Sequence, residues 1–319
     1  MIRQLTVGVA LVTCTAVAEA GKKPSSKQEA GLRNSGEWTA SKYLEEIDHD
    51  DPSLPEILKG RHRSSSPLVI RGAYTGHRLV KYWGNLAKVA KSEEKAGGKI
   101  FIFNQVKVSK TPVFGSIWKD TIRWIGNISD AQRPNQEHWH KWHHWHSKEV
   151  KRERFIKHFS KPGAPYHYWL HRLPDAVLGK DGDRATICDK FVPTGSEGRC
   201  PTEDSWWAVY GSSQGVVTQA HFDIGAAVFI HAKGRKKWTF WQPKDLPSMC
   251  LTPYAHPSFG QSQIDMDDLP EDRADGSSIA ACRWAPQHNR TVTLAPGDVL
   301  LVQVSTESIS LLVLLTCHK

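Results

Sequence analysis

Apolar positions along this chain fall into short runs with two different periods. From residue 206 onward they form brief strand-like blocks, Trp206–Tyr210, Gly215–Phe222, Ala226–His231, Lys237–Trp241 and Thr291–Val304. The last block is interrupted by the turn residues Pro296, Gly297 and Asp298. Strands this close together, separated by Gly and Pro turns, argue for a sandwich or barrel and against alternating βαβ units. The N-terminal half is mixed. Tyr43, Leu44 and Ile47 recur at helical spacing, and Pro55 opens a short helix with proline in its first turn. Ser66–Gly72 predicts a strand ended by glycine, Leu79–Ala90 an amphipathic helix, and Lys99–Val108 an alternating strand.

The first twenty residues are patterned differently. Arg3 precedes an apolar run from Leu5 to Val17, and Ala18 and Ala20 place small residues where a signal peptidase inspects the chain. This predicts a signal peptide over 1–20, cleavage before Gly21, and entry into the secretory pathway, either to the ER lumen or out of the cell. The run is too short to span a bilayer comfortably, and Ile309–Leu315 is shorter still, so no transmembrane span is expected. Residues 21–37 are polar, rich in Lys and Ser, and read as a flexible arm before a domain over 38–319.

An oxidising compartment changes how the cysteines read. With Cys14 removed, five remain. Cys188 and Cys200 flank a polar loop containing Pro193, Gly195 and Gly198 and are expected to staple it; Cys250 and Cys282 are expected to close a longer insertion. The triplets Asn127-Ile128-Ser129 and Asn289-Arg290-Thr291 are glycosylation sequons. Thirteen Trp and 39% hydrophobic residues provide for a substantial core, which excludes wholesale disorder. The net charge of +9 favours acidic partners but identifies no nucleic acid. Residues 131–161 form an insertion dense in His, Trp and basic side chains. It reads either as a metal- or polyanion-binding patch or as a solvated insertion docked by its Trp residues, and the second is preferred.

The chemistry centres on His221-Phe222-Asp223, which sits inside one of these predicted strands. Side chains at i and i+2 of a strand share a face, so an imidazole and a carboxylate point the same way. Two ligands of a 2-His-1-carboxylate site would then stand on one strand, with open metal positions beyond them. Fifteen residues later comes Lys236, which could reach into a barrel and pair with the distal carboxylate of a keto-diacid. Thr218, three residues before His221, falls on the opposite face by strict alternation and would need a bulge to take part.

Four motifs in order carry a resemblance. They are Val217–Asp223, Gly234-Arg235-Lys236-Lys237, Gln261–Asp265 and Pro296-Gly297-Asp298-Val299-Leu300. Together with Pro67–Ala73 upstream, they resemble the JmjC/cupin-like 2-oxoglutarate oxygenases, and within them the asparaginyl hydroxylases. The resemblance implies a mainly β fold, a double-stranded β-helix (cupin jelly-roll barrel) with N-terminal and inserted helices. It implies Fe(II) held by His221 and Asp223, and 2-oxoglutarate held by Lys236, Thr218 and Tyr168. A protein side chain would be the target, hydroxylated or demethylated. The chain departs from the family at two places. Ser308 stands where an ungapped extension expects the second iron histidine, and His318 is the only histidine after Gly297. Ala227 replaces an amide near the cosubstrate. The C-terminus therefore reads as incomplete, and the alternative to an oxygenase is a catalytically inactive barrel acting as a binding protein.

Overall fold

A computed structural model of the chain describes residues 7–14, 44–60, 66–85, 106–114, 145–150, 156, 161–172, 207–222, 226–251, 260–262, 289–302 and 312–316. In chain order the elements are β1 (Val7–Cys14), β2 (Glu45–Asp48), α1 (Leu54–Gly60), β3 (Leu68–Arg71), α2 (Arg78–Trp83), β4 (Val106–Ser109), β5 (Val113–Phe114), β6 (Trp145–Lys148), β7 (Tyr166–Arg172) and β8 (Trp207–Ser212). They continue with β9 (Val217–Phe222), β10 (Ala226–Lys233), β11 (Lys236–Trp241), a 3₁₀ turn over Pro243–Ser248, β12 (Asn289–Leu294), β13 (Val299–Val302) and β14 (Leu312–Thr316).

These strands build a nine-stranded sheet, β2-β3-β13-β10-β1-β8-β7-β4-β6, and a five-stranded sheet, β12-β11-β14-β9-β5. Period-2 alternation sorts their side chains into two layers. Phe229, Val69, Leu300 and Val302 from the large sheet pack on Trp238, Phe240, Val292 and Leu294 from the small one, which makes the inner core. The alternate positions of the large sheet, including Leu68, Ile70, Val228, Ile230, Val299 and Leu301, face outward and are covered by Leu54 of α1 and Leu79, Val80 and Trp83 of α2. This is the expected mainly β double-stranded barrel with helices against its outer face.

One close approach is set by glycine. Gly211 pairs with Trp169 across β8 and β7. A Cβ at Gly211 would meet Trp169 Nε1 at 2.1 Å, so the indole is laid over a position that only glycine leaves open.

Two local expectations are corrected. The segment expected to be helical around Leu44 and Ile47 is strand β2, paired in parallel with β3 from Glu45↔Leu68 to Asp48↔Arg71. Its buried-exposed alternation follows period 2, and the free edge of β3 outweighs a weak helical spacing. Helix α2 begins as expected but stops at Trp83, where Gly84 N–H closes on Val80 O at 2.8 Å. The strand expected over Lys99–Val108 is present from Val106, and residues 99–105 lie outside the described part. Val7–Cys14, the heart of the expected signal run, forms β1 in the middle of the large sheet; residues 15–43, with the expected arm, lie outside the description.

At one end of the barrel a polar corner locks β3 to the β12–β13 turn. Asp298 accepts from Gly72 N (3.0 Å), Ala295 N (2.9 Å) and Arg71 Nη1 (2.6 Å). Arg71 also donates to Thr293 O (2.9 Å) and pairs with Glu46. Burial pulls the Arg71 pKa down, but the bonds and charges of Glu46 and Asp298 outweigh it and hold the guanidinium above its ordinary value.

Candidate metal and anion site

Register decides which candidate side chains meet. On β9, Val313↔His221 and Leu315↔Thr218 are the β14 partners, so β9 spends three residues where β14 spends two. This is a bulge with the extra residue on β9. Positions two apart on β14 share a face, and residues paired with them share it too. Thr218 and His221 therefore stand on one face despite their odd spacing. The next ladder identifies that face: Val313 pairs with Phe240 and Leu315 with Trp238, both inner-core residues. Lys236, two residues before Trp238, belongs to the same inner row.

Within this row His221 is oriented. Its Nδ1 lies 2.7 Å from Gln219 O, and since a carbonyl only accepts, Nδ1 carries the proton. A neutral ring carrying its proton on Nδ1 presents Nε2 as its basic nitrogen, which is the arrangement a metal-ligating histidine needs. The opposite edge of this end of β9 is bridged by Gln261, with Ser262 N donating to Ala220 O (2.7 Å) and Gln219 Nε2 to Ser262 O (3.0 Å). The Gln261–Asp265 motif thus begins against the strand that carries His221. Asp223, one residue beyond β9, lies outside the described residues, as do Ser308 and His318. The β14 position opposite His221 is Val313, an aliphatic residue.

Lys236 is the most unusual group here. It is 2% exposed, its Nζ sits 5.3 Å from the Trp238 ring centroid, and burial pushes its pKa down to about 7. Among the described residues no carboxylate pairs with it. Trp238 Nε1, also buried, has no hydrogen-bond acceptor there either. Across the interior, His231 continues the inward alternation of Phe229 on β10 and is fully buried. Its Nε2 donates to Gly234 O at 3.0 Å, which leaves Nδ1 as an acceptor without a partner among the described residues. Burial first, with the nearby Lys236 charge assisting, lowers the His231 pKa to about 4, against smaller raising effects from Gly234 and Asp298. Among the described residues one donor, Trp238 Nε1, and one acceptor, His231 Nδ1, are unanswered beside the buried Lys236, and buried polar groups are rarely left so.

Tyr168 joins the same interior from the large sheet. Its ring lies 5.7 Å from that of Phe114, which pairs with Thr218 on β9. Tyr168 faces away from its neighbour Trp169, an outer-core residue, and so toward the barrel interior. Lys107, its cross-strand partner, holds Nζ 5.4 Å from the Tyr168 ring centroid and is lowered in pKa by burial. Neither Lys107 nor His231 was singled out by the sequence pattern. Inward parity on the strands beside the motifs is the signal that finds them.

The remaining candidates lie elsewhere. Cys250 is buried, adopts φ 51°, and is disulfide-bonded to a partner outside the described residues. Cys188, Cys200, Cys282 and Asn127 lie outside as well, while Asn289 opens β12 opposite Trp241. Of the insertion over 131–161, Trp145–Lys148 is edge strand β6 on β4, with His146 exposed. Among the described residues no helix is long and apolar enough to cross a membrane.

The residues present fit the anion half of an iron and 2-oxoglutarate site, with an oriented His221 at its metal end. Lys236 and His221 lie four residues apart along the strands and two strands apart across them, about 16 Å at ~3.3 Å per residue and ~4.8 Å per strand. A lysine side chain and a five-carbon keto-diacid together can bridge that span. A family model of the cupin-like domain matches residues 57–302. No curated protein matches the chain.

Proposed function

The chain belongs to the cupin-like domain family, which includes JmjC hydroxylases, and from that premise we propose that its barrel binds 2-oxoglutarate beside Fe(II) as an oxygenase-type centre acting on a protein side chain. The observation that carries this reading is the buried Lys236 ammonium, which no carboxylate pairs among the described residues, on the same inner face as Thr218 and His221. An ammonium held without a counter-charge in a closed interior is costly, and a ligand carboxylate removes the cost. Lys236 would hold the distal carboxylate, with Trp238 Nε1 and Thr218 as neighbouring donors and Tyr168 closing the wall. His221 and Asp223 would hold the iron, which when bound supplies the oxidising power for hydroxylation.

A second reading rests on Val313. The strand beside β9 offers an aliphatic side chain opposite His221, and the only histidine after Gly297 is His318. An incomplete ligand set weakens the metal more than the anion, so a barrel that binds 2-oxoglutarate without turning it over is the alternative.

Calorimetry with 2-oxoglutarate, with and without Mn(II), tests both. Lys236→Met should weaken 2-oxoglutarate binding at least tenfold, and Arg235→Ala, an exposed neighbour, should leave it unchanged. His221→Ala should remove the Mn(II)-dependent part alone. Equal losses from Lys236→Met and Arg235→Ala would reduce the effect to bulk charge and sink the reading. Succinate formation by the wild-type chain decides between an active centre and a silent binder.

A further inference from the structure

Strand β1 is the central strand of the large sheet, and its removal would part that sheet between β10 and β8. It lies between β10 and β8 and runs parallel to both. The register is long on each side, from Val7↔Ala226 to Thr13↔Lys233 on β10 and from Val9↔Trp207 to Cys14↔Ser212 on β8. We propose that the gap between β8 and β10 is a strand-acceptor groove of this domain, and that its occupant is the chain's own Val7–Cys14 segment.

Three physical points converge on that occupant. First, the two edges it covers are interior to the sheet, so without it two rows of backbone N–H and C=O groups would lie open in the barrel wall. Second, a strand flanked in parallel on both sides is typically buried on both faces and reads as a continuous apolar run. The segment Val7-Gly8-Val9-Ala10-Leu11-Val12-Thr13-Cys14 is such a run, with no charge and no proline. Third, parallel neighbours require a long crossover, and the chain between Cys14 and Trp207 separates β1 from β8.

The groove bears on the site as well as on the fold. β10 carries Phe229 and His231 on the inner wall, and Tyr210 of β8 packs against the same inner cluster. The same eight residues lie inside the run that looks like a cleavable signal. Cleavage after Ala20 and a barrel closed by its own β1 therefore exclude each other within one chain. A processed chain would carry an open groove suited to an uncharged, β-branched segment of about eight residues.

The test compares the full chain with a chain beginning at Gly21, both purified and refolded, by amide hydrogen exchange. The expected result is that Ala208–Ser212 and Val228–Ile230 lose protection at least tenfold in the shorter chain. A synthetic peptide carrying Val7–Cys14 with solubilising Lys tags should restore it, while its Leu11→Pro version should not. Should the shorter chain fail to fold, full-length Leu11→Pro reports the same thing, because Leu11 pairs with both Ile230 and Val209 and proline removes its donor. Unchanged protection in the shorter chain, or in full-length Leu11→Pro, overturns the proposal. So does a dimer whose crosslinks, in mixed isotope-labelled samples, place β1 in the neighbouring copy.

Discussion

The corner built by Arg71 and Asp298 and the interior around Lys236 and His231 both bury charge or polarity, but among the described residues only the corner answers all of it. At the corner each Asp298 oxygen has a donor, and Arg71 divides its own between Asp298, Thr293 and Glu46. In the interior, an indole N–H and an imidazole nitrogen lack hydrogen-bond partners among the described residues, beside an ammonium that no described carboxylate pairs. Polarity in the two places thus serves different ends. A satisfied network fixes where β3 and the β12–β13 turn sit; one left open among the described residues is where the proposed ligand would sit.

The comparison can be broken most forcefully at the corner. Asp298→Ala leaves Arg71 half-buried without its partner and two backbone N–H groups unanswered, and should cost about 3–5 kcal/mol in denaturant unfolding. Gly297→Ala should cost on the order of 2–3 kcal/mol, because Gly297 has φ +100° and its Cβ would meet the Thr75 backbone N at 2.7 Å. A loss under about 0.5 kcal/mol in either variant would show that the turn is not locked as described.

In the interior the sign should reverse. Lys236→Met should stabilise the ligand-free protein at pH 7 by about 1–3 kcal/mol, since it removes a buried amine while keeping its length. The folded pKa of Lys236 is about 7 against 10.5, so the unfolded chain binds more protons between those values. Stability of the wild type should therefore rise with pH across that window, and the Met variant should lack the slope. A ligand carboxylate reverses the preference, so 2-oxoglutarate affinity should fall about tenfold from pH 6 to pH 8. The smallest effect belongs to His231. Its pKa is lowered from 6.5 to about 4, so wild-type stability should decline as pH falls through that range. His231→Gln should flatten the decline while changing stability at pH 7 by under about 1 kcal/mol; an unchanged acid profile would mean the ring is not held neutral.

Much of this was legible in the residues. Short apolar runs between glycine and proline turns gave β8 to β13 nearly to their ends, because those runs match a period that only a sheet accommodates. His221 and Lys236 were visible because their chemistry is rare inside a strand pattern. What escaped was long-range. Glu45–Asp48 took its conformation from the open edge of β3, which no local window contains. His231 and Lys107 looked like ordinary residues of basic stretches until the strands on either side assigned them an inner face. Val113–Phe114 is too short to carry any periodicity, and its place beside β9 comes from pairing alone.

The bulge in β9 gives the site a property that side-chain chemistry does not express. The phase between Thr218 and His221 is set by a count: three residues of β9 spent against two of β14. Substituting Gln219 or Ala220 alters contacts but preserves that count. Adding one residue to β14 between Val313 and Leu315 would match three with three, restore strict alternation and turn one of the two functional side chains to the outside, with every chemical group still present in the chain. The site should therefore tolerate changes of residue type at Gln219 and Ala220 yet depend on the length of the strand opposite, so that a β14 one residue longer there would keep the sequence motif and lose the site.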